Sequence, residues 1–226
     1  MLQGLREALG MLWGGDAELW GIIARSLLVS LTAVALAAAV GVPLGAAVGL
    51  RRFRGRTLLR RVLRTFMGLP PVVVGLIVYL TLSRSGPLGP LDLLFTPTAM
   101  IIAQFLLALP IVAALAAGTV EGIDEQVREA ALTLGATARQ AEYKVLAEAR
   151  RGLVTAVAAA YGRVAAEVGA VMLVGGNIRG YTRVMTTAIA LETRQGQYGL
   201  AIGLGLVLIV ISFLVNMIVE AGGEAR

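Results

Sequence analysis

The chain has 226 residues, 58% of them hydrophobic and only 15% charged, and 20 Lys and Arg against 14 Asp and Glu leave a net charge of +6. A soluble domain carries about 25% charged residues, so this composition, with a mean hydropathy of +0.82, describes an integral membrane protein with little room for a soluble domain. Neither cysteine nor histidine occurs, which excludes thiol and imidazole catalysis, the common zinc sites and a Ser-His-Asp triad.

Residues 1–18 lack a basic start followed by a small-residue cleavage site and do not read as a cleaved signal peptide. Leu2, Leu5, Leu9, Leu12 and Trp13 give them one apolar face, as in an interfacial helix, although a plain tail fits as well. Residues 19–219 form the membrane domain, and 220–226 are a short C-terminal tail. Five runs reach the roughly 20 residues a spanning helix needs: 19–50, 62–82, 98–119, 153–174 and 198–219.

The first run contains Gly41, Gly45 and Gly49 at four-residue spacing, and the last contains Gly199 and Gly203. Small residues so placed let helix backbones approach closely, and packing within one chain explains them without a dimer seam. Arg25, near the outer end of the first run, is expected to snorkel to the headgroups, with no further role. The second run opens on Gly68-Leu69-Pro70-Pro71, where paired prolines bend the helix. Gln104 and Pro110 lie in the third run and suit either a pathway-lining helix or a merely kinked one. The fourth carries Arg163 and Glu167 one helical turn apart. A charge at the bilayer centre costs about 2.5–3.5 kcal/mol on insertion scales, so the two are expected to face the bundle interior and satisfy each other. A structural ion pair and a charged element near a pathway or gate both fit. The apolar stretch 175–193 that follows should dip back toward the membrane or form a short outer helix, with glycines at its turn.

Basic residues orient the chain. The first loop holds Arg51, Arg52, Arg54, Arg56, Arg60, Arg61 and Arg64, and the third holds Arg128, Arg139, Lys144, Arg150 and Arg151. The other two loops hold Arg84 alone and Arg179, Arg183 and Arg194. The richer pair belongs in the cytoplasm, so the N-terminus is expected outside and the C-terminus inside. The positive charge is thus a topology signal, not a nucleic-acid footprint.

The third loop, 120–152, interrupts two membrane-length runs with a charged, helix-favouring segment. Val127, Ala130, Ala131, Leu134 and Ala138 fall at helical spacing, with charges on the other faces. Gly135 marks a turn between two short helices.

Within this loop, Glu129-Ala130-Ala131 followed by Gly135 resembles the EAA loop of permease subunits of ABC transporters. Where that family continues with Ile-x-Leu-Pro, this chain has Val145-Leu146-Ala147-Glu148, keeping the aliphatic start and losing the Leu-Pro. The resemblance extends over roughly 26–219. Leu69-Pro70-Pro71, Ser85 to Gly89, Gln104, Pro110, Arg163, Glu167 and Gly169 look like oxyanion permeases. The run through Asn177, Gly180 and Thr182 is similar to the tungstate branch, with molybdate and sulfate permeases as alternatives.

The resemblance implies an all-α membrane protein with the five-helix core of type I ABC importer permeases, in the plasma (inner) membrane of a prokaryote. It implies a homodimer, two ATP-binding cassette subunits that hold ATP and Mg, and an extracytoplasmic oxyanion-binding protein. Glu129, Ala130, Ala131 and Gly135 would couple the pore to the ATPase. No Gly-x4-Gly-Lys-Ser/Thr phosphate loop occurs, so the chain is expected to be a transport subunit, not an enzyme, with no cofactor or metal of its own. A membrane hydrolase lacks its clustered base and nucleophile here. A stand-alone channel or scaffold would not need the EAA-like loop.

Overall fold

The computed structural model describes residue 10 and residues 17–224; the expectations for the N-terminal tail lie almost entirely outside them. The described residues contain helices and turns and no strand. The helices are α1 (Ala17–Leu50), α2 (Arg56–Met67), α3 (Pro71–Leu82), α4 (Pro97–Glu121), α5 (Glu125–Thr133), α6 (Ala138–Ala165), α7 (Gly169–Gly175), α8 (Met185–Arg194) and α9 (Tyr198–Glu224).

Helix α4 is the axis of the bundle. It buries Met100, Ala103, Ala108, Val112, Ala113 and Ala116 completely, and α1, α2, α3, α6 and α7 all pack on it. The stripe of small residues on α1 explains the tightest of these contacts. A methyl group at Gly45 would overlap the Ala113 carbonyl and stand 2.7 Å from Ala116 Cβ, and one at Gly49 would stand 2.8 Å from Val120 Cβ. The stripe therefore packs inside one chain, as its spacing suggests. The outer faces stay apolar: Leu28, Leu31, Leu36 and Val40 on α1 and Ile209, Phe213 and Ile218 on α9 are exposed on the single chain, as helices in a lipid solvent require.

The first, third and fifth expected spans are single helices of 34, 25 and 27 residues. The second and fourth are not. The second expected span is broken by 98° between α2 and α3, and the fourth by 62° between α6 and α7. The prolines cause the first break. Pro70 has the extended backbone of an N-cap and Pro71 takes the first helical position, so the prolines start a new helix and cannot continue the old one. Val62 to Met67 consequently belong to α2, the arginine-rich helix, and not to a span.

Candidate functional site

The segment carrying the EAA-like residues is a helical hairpin with defined corners. Asp124 caps α5, its Oδ1 accepting from Gln126 N at 2.9 Å. At the far end Gly135 has φ +87°, a conformation that favours glycine. Its N–H donates to Leu132 O at 3.0 Å and the Ala136 N–H to Ala131 O at 3.0 Å. These are the two bonds of a Schellman cap. Thr137 then starts α6 with a capping box: its Oγ1 accepts from Gln140 N and its own N–H donates to Gln140 Oε1 at 2.8 Å. Gly135 thus makes the expected turn, but it joins α5 to a helix of 28 residues, not to a second short one. With no proline at 145–148, α6 runs unbroken from the charged loop into the membrane domain.

The hairpin's root is packed and its tip is bare. Ile123, Val127, Leu146 and Leu153 close around buried Ala46, Val120, Val145 and Ala149. No residue of α5 is buried. Glu129 and Ala130 are exposed, Ala131 is half-buried, and Leu134 is 88% exposed. The apolar stripe therefore splits, with Val127 turned into the chain and Ala130 and Leu134 turned away from it. Sequence periodicity missed this split because it cannot tell a stripe that fills the core from one left uncovered.

A clasp fixes the root from the side. Arg56 Nε donates to Val48 O at 2.7 Å, and its Nη2 donates to Gly49 O at 2.8 Å and to Glu121 Oε1 at 3.0 Å. Arg60 Nη2 donates to the same carboxylate oxygen. One arginine thus satisfies orphan carbonyls at the C-terminus of α1 and holds the last residue of α4, three positions before the α5 cap.

The break between α6 and α7 is held by side chains. Val164 O accepts from Glu167 N at 3.1 Å and from Gln104 Nε2 at 3.4 Å. Glu167 Oε1 accepts from Gly169 N at 2.8 Å and Ala170 N at 3.3 Å, capping the start of α7, and Thr186 Oγ1 donates to Glu167 O at 2.9 Å. Irregular backbone among membrane helices needs such partners. Arg163 Nη1 lies 3.5 Å from Glu167 Oε2, and the two side chains are 48% and 8% exposed. The expectation that both face the bundle interior therefore holds for Glu167 and not for Arg163. Glu167 sits in the break, not on the helix that carries Arg163, and its shortest bond goes to backbone.

The two breaks meet. Phe66, Met67 and Leu69 at the first bend and Arg163, Val164 and Glu167 at the second line one groove, with Leu107 and Ile111 of α4 at its back. The half-helices beyond the bends pack together so closely that a methyl group on Gly75 would stand 2.7 Å from Ala170 Cα.

On the far side of α7, the stretch 176–184 is a turn leading into α8, a short helix being one of the two forms expected there. Thr182, 1% exposed, donates from Oγ1 to Gly175 O at 2.5 Å and accepts from Ile178 N at 2.9 Å. Gly180 has φ +75° and Asn177 φ +51°. Arg25, for which the sequence suggests no role, is the clamp of this turn. Its Nε donates to Arg183 O and its Nη1 to Gly180 O, both at 3.2 Å. Asn177, Gly180 and Thr182 thus shape one turn and do not join the groove at the breaks.

The geometry has parallels. The chain is 48% identical over 200 residues to "Probable anion ABC transporter permease protein" of Haloferax volcanii, covering 86% of each chain. It is 44% identical over 217 residues to "Tungstate uptake system permease protein TupB" of Peptoclostridium acidaminophilum, covering 96% of this chain and 95% of that one. With "Sulfate transport system permease protein CysW" of Synechococcus elongatus the identity is 32% over 219 residues, covering 94% and 76%. Two solved structures share the fold at low identity. One is a bacterial ABC transporter involved in the import of alginate, with TM-score 0.76 and 16% identity over 96% of this chain and 82% of that one. The other is the MetNI methionine ABC transporter in an inward-facing conformation, with TM-score 0.75 and 17% identity over 96% and 98%. The family described as "Binding-protein-dependent transport system inner membrane component" matches residues 41–221. With four-fifths of the chain inside that match and the helical core of ABC importer permeases around it, the chain belongs to this family of multi-pass inner-membrane transport proteins.

Proposed function

We propose that the chain is the permease of an ATP-driven tungstate importer, working as a homodimer with two ATP-binding subunits beneath it and an oxyanion-binding protein above. The observation that carries the cargo is the 44% identity to a tungstate uptake permease over nearly the whole chain. A second tungstate uptake permease, from Campylobacter jejuni, is 39% identical over 96% of this chain. Chemistry enters from outside the chain: ATP and Mg bind the partner subunit, and closure of that subunit pushes on the α5 hairpin. The hairpin suits this task because its corners are capped, its root is packed and its tip, with Glu129, Ala130 and Leu134, is uncovered. Glu129 meets a basic residue of the ATPase groove, and the small Ala130 and Ala131 let the surfaces close.

The push travels through Val127 and the Glu121 clasp into α4 and α6 and reaches the groove where the two breaks meet. Half-helices joined by capped breaks can change their mutual angle without losing backbone hydrogen bonds, as gating elements require. Arg163, half-exposed at that groove, keeps the path from being negative, and the tetrahedral dianion is selected by the binding protein. With the arginine-rich loops inside, the N-terminus lies outside and the C-terminus in the cytoplasm.

Deleting the gene for this chain is expected to abolish accumulation of tungstate, measured by mass spectrometry of the metal, at concentrations where sulfate uptake continues. Restoring the chain restores it. Loss of sulfate or molybdate uptake with tungstate uptake intact would assign the cargo to one of those anions and contradict the proposal.

A further inference from the structure

Helix α2 is more than a loop that carries topology charges. It turns by 98° from α3 and packs on α4 through Leu63, its one buried residue. Leu58, Val62 and Phe66 recur every four residues, within about 80° of arc on a helix of 3.6 residues per turn. They are 67%, 37% and 48% exposed. Arg61 and Arg64 are both exposed, Arg64 about 160° from the centre of that face and Arg61 on its flank, about 100° away, and neither pairs with a carboxylate among the described residues. The same is true of Arg51, Arg52 and Arg54 just before the helix. One apolar face, one cationic face and an axis turned across its neighbour describe a helix that lies in a membrane interface.

We propose that α2 is a binding site for anionic lipid. Leu58 and Val62 enter the acyl boundary, with Phe66 at the end of the same face beside the groove of the breaks, and Arg61 and Arg64 hold lipid phosphates. Charge complementarity names the occupant, since five exposed arginines without carboxylate partners meet the phosphates of an anionic surface. The helix is also fastened to the transport machinery. Arg56 and Arg60, one turn apart on α2, both hold Glu121, so a lipid-bound α2 anchors the root of the α5 hairpin at the membrane surface.

The chain contains no cysteine, so Thr57→Cys gives a single attachment point for a fluorescent donor beside the cationic face. The labelled full chain is placed in lipid nanodiscs containing a trace of headgroup-labelled phosphatidylglycerol or, separately, phosphatidylcholine. Energy transfer is expected to show local enrichment of phosphatidylglycerol. Removing charge in the R61Q/R64Q double variant should lower that preference about fivefold for each arginine lost, and R61K/R64K should retain it, which separates loss of charge from loss of fold. Equal transfer to both lipids, or a preference unchanged in R61Q/R64Q, would overturn the proposal. Absence of the preference together with cross-linking of the Thr57→Cys site to a second chain would give this face to another copy. Protection only after an ATP-binding subunit is added would give it to that protein. The measurement needs neither cargo nor an assigned side of the membrane, so its failure leaves the transport proposal standing.

Discussion

Replacing Glu167 with alanine is expected to abolish transport and to destabilise the purified chain by about 2–4 kcal/mol, from the loss of charge-assisted bonds to one buried and one part-buried N–H group. The side chain is 8% exposed, so water cannot take over from the carboxylate at Gly169 N and Ala170 N. Without that cap α7 loses its defined start, and the break loses one of the three side chains that hold it. Arg163→Ala should cost far less, under about 1 kcal/mol, because Arg163 is half-exposed and meets Glu167 only at 3.5 Å. Glu167→Gln keeps one acceptor oxygen and should fall between them. Unfolding of the three variants in mixed detergent, alongside uptake, measures the order. If Arg163→Ala proved as damaging to stability as Glu167→Ala, the ion pair and not the helix cap would be the reason for the glutamate.

The second large effect is expected at the hairpin tip and has the opposite signature. Glu129→Lys and Leu134→Asp should each reduce oxyanion-stimulated ATP hydrolysis by about tenfold or more, the scale of a reversed charge or a polar group forced into a protein contact. Neither should move the thermal midpoint of the isolated chain, because no residue of α5 is buried. Stability lost together with coupling would make the tip a structural element and remove it from the docking role.

Some of this was legible in residue order alone. The hairpin's turn is legible because its signal is local: Gly135 interrupts a charged run of helical periodicity, and it stands where φ is positive; the Asp124 cap and the Thr137-x-x-Gln140 box came only with the structure. Pro70 and Pro71 announce a bend, though hydropathy hides its size. Val62 and Phe66 extend the apolar run of α3 backward through a right angle, and a window average reads both arms as one span. The second break has no such marker. Glu167 lies four residues after Arg163, which resembles a helical ion pair, while its actual partners are the N–H groups of Gly169 and Ala170. Arg25 was illegible for another reason. Its acceptors, Gly180 O and Arg183 O, are backbone atoms more than 150 residues away in sequence, and a carbonyl carries no residue identity to match.

The central claim is that the capped hairpin of α5 and the start of α6 projects into the cytoplasm, where a separate ATPase moves it. Leu134→Cys, unique in this cysteine-free chain and 88% exposed at the tip, tests it by side-selective labelling of inside-out and right-side-out vesicles with a membrane-impermeant maleimide. Labelling in inside-out vesicles, blocked when the ATP-binding subunit is bound, is the result the account predicts. Labelling from the outer face of right-side-out vesicles would contradict both the topology and the role of the hairpin.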